Sequence, residues 1–138
     1  MANPADNKRI ELTIPADNGL MLVIRLTAAG VIARAGITVD RMDDLKLAAE
    51  EACNCLMGQE RKPEKLHLCF DIADKDVALF VEGLYEDETL SAEPLKGDRT
   101  EDDLEIEKCI LEALADAVEI TVRNGWIAGI GMKAAKAQ

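Results

Sequence analysis

The stretch DAVEITVRNGWIAGIGMK, Asp116 to Lys133, leaves this chain few ways to fold. Two alternating apolar and polar runs flank Asn124-Gly125, the dipeptide whose tolerance of positive φ makes it the strongest short hairpin signal. A chain that ends on such a hairpin builds a sheet, and a sheet with one apolar face needs a second layer to cover it. EKLHLCFDI repeats the pattern, with Leu66, Leu68, Phe70 and Ile72 on one face. DVALFVEGL follows after the short 73–76 connection, so the two predict an antiparallel hairpin. Nearer the start, RIELTIP alternates Ile10, Leu12 and Ile14 against Glu11 and Thr13, a half-buried strand closed by Pro15.

Between the first strand and the first hairpin the period changes to that of a helix. Asp17 or Asn18 is placed to cap a helix running to about Ala35, with Leu20, Val23, Ile24, Thr27 and Val31 at helical spacing and Gly36 as its stop. Asp40 is placed to cap a second helix, where Met42, Leu45, Ala48, Ala49, Ala52 and Leu56 form a stripe that ends at Gly58. Thr100 with Asp103 has the spacing of a capping box for a third helix to about Ala115. Residues 85–102 show no period and several acidic groups, which predicts a long loop. The expected architecture is α+β: a two-layer sandwich of an antiparallel or mixed sheet with helices on one face, in the order β-α-α-β-β-loop-α-β-β. Residues 1–8 read as a leader, 9–134 as one domain and 135–138 as a tail.

Charge limits what such a domain can bind. Twenty-seven acidic residues against sixteen basic ones give a net charge of -11, which repels nucleic acid and anionic membrane surfaces. The one basic cluster, Arg61, Lys62 and Lys65, is short. No stretch reads as a transmembrane helix, and MANPADNKRI lacks the apolar run of a signal peptide. A cytoplasmic protein with four reduced cysteines is expected.

The second helix, DDLKLAAEEACNCLM, concentrates the reactive side chains. With the apolar stripe facing inward, Glu51 and Cys55, four residues apart, share one flank, while Glu50 and Asn54 point outward. Glu51 is either a general base or a carboxylate at the edge of a pocket. Cys53 and Cys55 diverge by about 200° on a helix and cannot chelate one ion, so no metal is expected. The single histidine, His67, alternates onto the strand face of Cys69 and Asp71, and nothing pairs it with a cysteine nucleophile. Arg25, on a mostly apolar helix, either anchors an interface or extends its guanidinium to solvent.

These pieces resemble a known family, the anti-sigma factor serine kinases of the histidine-kinase-like ATPase fold. The resemblance runs from Ile10 to about Lys133 and is carried by IRLTAAGVIARAG, DDLKLAAEEAC and ILEALADAVEITV. Working members read Glu-Ala-Cys-Thr-Asn on the second helix, the Glu serving as general base towards a serine and the Asn holding Mg²⁺ on ATP. The resemblance places that Glu on Glu51 and the Ala-Cys on Ala52-Cys53. The Asn position falls on Cys55, with Asn54 one residue early. Where the family reads adenine with Asp-x-Gly, this chain offers Glu82-Gly83 and no matching aspartate. Where it cradles phosphates with a glycine turn, this chain has TEDDLEIEK, with Asp102, Asp103, Glu105 and Glu107. A thiol is a poor Mg²⁺ ligand, and carboxylates repel a triphosphate.

The resemblance thus implies a degenerate member that regulates transcription by binding protein, with Glu51, Cys55, Glu82 and Gly83 as remnant pocket positions. It implies a sigma factor or an anti-anti-sigma protein as partner, contacts through Arg25, and a homodimer formed through the first strand and helix. No cofactor is expected under that reading. One alternative is a working serine protein kinase using ATP and Mg²⁺, with Glu51 as base and Asn54 recruited by a helix shift. Another is a non-catalytic scaffold whose pocket is filled by Leu56 and Tyr85.

Overall fold

The computed structural model describes residues 8–85, 101–123 and 126–136, and the side chains of residues 101–104 stand outside that description. Residues 1–7 of the leader, 86–100 of the acidic loop with Thr100, the Asn124-Gly125 dipeptide and 137–138 of the tail therefore lie outside the described residues. The elements follow the expected order. Strand β1 (Lys8–Pro15) leads to a single 3-10 turn (Asn18–Leu20), then to helices α1 (Met21–Ala35) and α2 (Val39–Met57). Strands β2 (Lys65–Ile72) and β3 (Asp76–Leu84), helix α3 (Glu101–Leu114) and strands β4 (Ala117–Arg123) and β5 (Trp126–Ala135) complete it.

The five strands form one sheet in the order β1-β2-β3-β5-β4, with every neighbouring pair antiparallel. The register explains the alternation seen in the sequence. Leu12, Leu68, Val81 and Ile130 lie abreast across four strands, and the row continues to Ile120 on β4. This row and its neighbours two residues away, Phe70, Leu79 and Met132 among them, make the face that the helices cover. The reverse face carries Glu11, His67, Phe80 and Glu82, with Gly129 and Gly131 beside the phenyl ring. On β4 the alternation breaks at a bulge between Thr121 and Val122, after which Val122 is exposed. Burial of β1 fades toward its start: Ile14 is buried, Leu12 partly so, and Ile10 is exposed on the edge strand.

Three expectations for the helices need correction. On α1 the inward face is Met21, Ile24, Ala28, Val31, Ile32 and Ala35, whereas Val23, expected inside, is exposed. The helix is apolar on nearly all sides, so several phases fit its sequence equally well, and packing selects one. Asp17 caps only the preceding 3-10 turn, its carboxylate accepting from Gly19 N at 2.8 Å. Asp40, the expected cap of α2, lies instead within the first turn. Thr38 holds the cap position through its backbone carbonyl, with no side-chain cap bond. Gly36 ends α1 as expected, at φ 81°, a conformation that a Cβ would strain.

A fourth correction concerns length. Asn18–Ala35 is long and apolar enough to cross a membrane by length and composition. Its inner residues Ile24 and Ala28 are fully buried against the rest of the fold, as a core helix requires.

The corrected phase of α1 is testable. Ile24→Ala should cost about 2–5 kcal/mol of unfolding free energy, and Val23→Ala within about 0.5 kcal/mol. Urea titrations showing equal losses would return the helix to the phase expected from sequence.

Candidate functional site

Three alanines set the orientation of α2. Ala48, Ala49 and Ala52 are all fully buried, and with Leu56 they form the side turned to α1 and the sheet. Ala28, Ile32, Leu45, Ala48, Phe70 and Leu79 line one small internal gap where the two helices meet the strands. With that side fixed, the other positions follow from the helical period. Asn54 is exposed, and Glu51 and Cys55 turn toward α3.

There, Glu51, Asn54, Cys55 and Gly58 from α2 and its end, with Glu107, Ile110 and Leu111 from α3, line a cavity of about 350 Å³. The structure therefore brings Glu51 and Cys55 together, with a second carboxylate, Glu107, in the same cavity. Among the described residues Glu51 makes no ion pair. Glu50, read from sequence as outward, lies half-buried against α1 and accepts from Arg25 Nη2. Arg25 is thus tied to α2 while its side chain remains half exposed.

Glu82 and Gly83 stand elsewhere. Glu82 projects from the sheet face opposite the helices, where His67 Nδ1 lies 3.1 Å from its Oε1 and His67 Nε2 lies 3.2 Å from Glu11 Oε1. Gly83 faces the helix layer, but that space is taken: a Cβ there would meet Pro63 Cβ at 3.0 Å and Tyr85 Cε2 at 3.4 Å. An Asp-x-Gly would place its aspartate two residues earlier, at Val81, which is fully buried in the core. Leu56 is a core residue, whereas Tyr85 stacks on Trp126 at 6.0 Å, with the Arg61 guanidinium 5.0 Å from one ring centroid and 4.9 Å from the other.

The residues present do not fit Mg-ATP. At the positions that the resemblance assigns to the Mg²⁺ ligand and to adenine recognition stand a thiol, Cys55, and the fully buried Val81. Pro63 fills the space over Gly83, and Glu107 adds negative charge to the cavity beside Glu51. Among the described residues no group of three or more His, Cys, Asp or Glu side chains is placed to hold a metal ion. Burial, with Glu50 and then Cys55 adding to it, pushes the Cys53 thiol up to about 12, so it is no nucleophile at neutral pH.

One structural residue had no signal in the sequence. Gln59 is buried just past the end of α2. Its Nε2 donates to Ile127 O at 2.9 Å, and its Oε1 accepts from Ile127 N at 2.7 Å. The amide thus replaces a ladder partner for β5 and fastens the end of α2 to the sheet, 68 positions away in the chain. A second fastening joins the other end of the helix, where Arg41 Nη2 donates to Asp116 Oδ1 at 2.8 Å and Ala135 N donates to Asp116 Oδ2 at 2.7 Å.

Two measurements check this geometry. Gln59→Leu should cost about 1–3 kcal/mol for each backbone group of Ile127 left unsatisfied, read as a lower urea midpoint at unchanged slope. With iodoacetamide at pH 8, exposed Cys109 should react first and Cys53 only on unfolding. Because the folded thiol ionises later than the ordinary value of 9.0, the unfolded chain gains thiolate first, and stability should fall as pH climbs from 9.0 towards 12. Fast labelling of Cys53 in the folded protein would contradict the burial described here.

No family model matches the chain. Among curated proteins it is similar to a serine-protein kinase RsbW of Bacillus subtilis, 42% identical over 65 residues, which is 47% of this chain and 39% of that protein. It is also similar to a serine-protein kinase RsbW of Bacillus mycoides, 38% identical over 80 residues, 58% of this chain and 44% of that protein. A third, of Bacillus cereus, is 36% identical over 80 residues. The match spans less than half the length of these curated relatives. The resemblance to anti-sigma factor serine kinases is therefore borne out over about half of this chain, in relatives that carry the name of serine-protein kinases.

Proposed function

We propose that this protein is an anti-sigma-factor-like regulator that acts by binding protein, its nucleotide site having lost the groups that hold Mg-ATP. Kinship to serine-protein kinases supports the family. The observation that carries the binding role is the outward side of α1. Leu22, Val23 and Leu26 are exposed there, Leu26 to 64%, beside the half-exposed guanidinium of Arg25. An apolar patch with an arginine at its margin is the composition of an interface anchor. Regulation works by occlusion: the domain covers the surface through which its partner otherwise acts.

A sigma factor or an anti-anti-sigma protein is the partner under this reading, in the cytoplasm. That patch, together with Ile10 exposed near the start of β1, suits a homodimer formed through the first strand and helix. A second reading, a working serine protein kinase with Glu51 as base, is favoured by the names of the relatives and by the position of Glu51 in the α2–α3 cavity. The absent Mg²⁺ ligand at Cys55 weighs against it.

The test is binding of purified sigma factors and anti-anti-sigma proteins from the source cell, without nucleotide. One should form a stable complex, and Leu26→Glu should weaken it by about a hundredfold, as loss of a central anchor does. Leu26 is exposed, so this substitution should leave the fold intact. No complex with either class, or a complex indifferent to Leu26, would sink the proposal.

A further inference from the structure

The side of the sheet turned away from the helices holds an open trough of about 390 Å³, remote from the α2–α3 cavity. Its floor is the middle of β5. The register sets Phe80, Gly131 and Glu119 abreast on β3, β5 and β4, and Ala78, Lys133 and Ala117 abreast in the next row on this side. Phe80, exposed at 40%, forms one wall, and Glu119 stands across from it.

The two glycines of β5 have different reasons to be there. At Gly129 a Cβ would meet Phe80 Cζ at 2.7 Å, so the phenyl ring itself demands glycine. At Gly131 a Cβ would meet Phe80 Cδ2 at 3.5 Å and Glu119 O at 3.9 Å, both ordinary contacts, and its φ is not positive. The fold therefore accepts a side chain at position 131, although glycine inside a strand weakens it. A glycine that the packing does not need marks a place where something else approaches the backbone.

Charge identifies that occupant. Asp71, at the edge of the trough, is already paired with Arg9. Lys133 and Glu119 are both exposed, and among the described residues neither forms an ion pair. They are diagonal neighbours across the β4–β5 pair, a relation that sets backbones about 7–8 Å apart. A free amino acid carries its ammonium and carboxylate on one carbon, so it reaches both while its side chain fills the space over Gly131. A ligand of one charge leaves the other group unanswered, and a ligand without an apolar body leaves the Phe80 wall bare.

We propose that this trough binds a small zwitterion with an apolar side chain, the class of the aromatic and aliphatic amino acids, its side chain over Gly131 against Phe80, its carboxylate on Lys133 and its ammonium on Glu119. The site is independent of the protein-binding surface on α1.

The probe is L-phenylalanine, titrated into the isotope-labelled full chain and followed by NMR. Saturable shifts at Phe80 and Gly131 are expected, with a Kd of about a millimolar. 3-Phenylpropanoate, which lacks the ammonium, and phenethylamine, which lacks the carboxylate, should each bind about fivefold more weakly, the effect of losing one exposed ion pair. Gly131→Ala should leave Tm unchanged or raise it, yet weaken L-phenylalanine about tenfold by filling the floor. Glu112→Gln, an exposed carboxylate on α3 in the other layer, should change binding less than about twofold. A fall in Tm in Gly131→Ala would show that the fold needs this glycine and would overturn the proposal. No saturation below about 20 mM, equal binding of the three ligands, or unchanged affinity in Gly131→Ala would do the same.

Discussion

Close packing of the alanine side of α2 is the constraint on which the rest of this structure depends. Ala48, Ala49 and Ala52 present almost no side chain, so the helix axis lies close to α1 and the sheet. A larger residue at any of the three would lift the helix and open the core beneath it. The chain has four aromatic residues in all, and only Phe70 is fully buried in this core. Leu, Ile and Val from the strands therefore fill the interior, and they can do so because the alanines bring the layers together. Gln59 at one end of α2 and the Arg41–Asp116 pair near the other hold it in that position.

Fixing α2 this way fixes the chemistry of its other faces. Position 50 meets α1 and pairs with Arg25, position 54 meets water, and positions 51 and 55 meet α3. The carboxylate of Glu51 is thus presented to a cavity, and the side chain one turn further on is a thiol. Val81 and Gly83 belong to the packed interior, Gly83 beneath Pro63, and Glu82 belongs to the opposite face with His67. Arg61, Tyr85 and Trp126 form a stacked cluster beside Pro63, at the end of β3 and the start of β5. Under the proposed reading these features, in separate elements, suit a domain that binds protein, where the relatives are named as kinases.

Much of this was legible in the residues, and the exceptions have physical reasons. Strands β2 and β3 alternate cleanly because one face is covered by helices and the other meets solvent, so Leu66, Leu68 and Phe70 identify their own side. The α2 stripe was equally plain, since charged residues occupy its outer face. Helix α1 was harder, because Leu22, Val23 and Leu26 are as apolar as Ile24 and Val31, and period alone cannot choose among them. Asp40 in place of Thr38 is a two-residue displacement of a helix start, the spread that helix ends ordinarily show. Glu82 looked like a pocket residue in linear order, and only the register of β1, β2 and β3 reveals its partners. Gln59 was invisible, since nothing local tells that an amide will stand in for a strand 68 positions away.

The central claim is that the cavity beside Glu51 no longer holds a nucleotide. Calorimetric titration of the purified protein with Mg-ATP and Mg-ADP tests it most directly, with thermal unfolding followed in the same samples. Ligand at about a hundred times its dissociation constant would stabilise the fold by about 2.7 kcal/mol. The account predicts no saturable heat and no shift in Tm at millimolar nucleotide. Saturable binding with a matching rise in Tm would contradict it, and would mean that Cys55, Val81 and the filled space at Gly83 do not prevent nucleotide from entering.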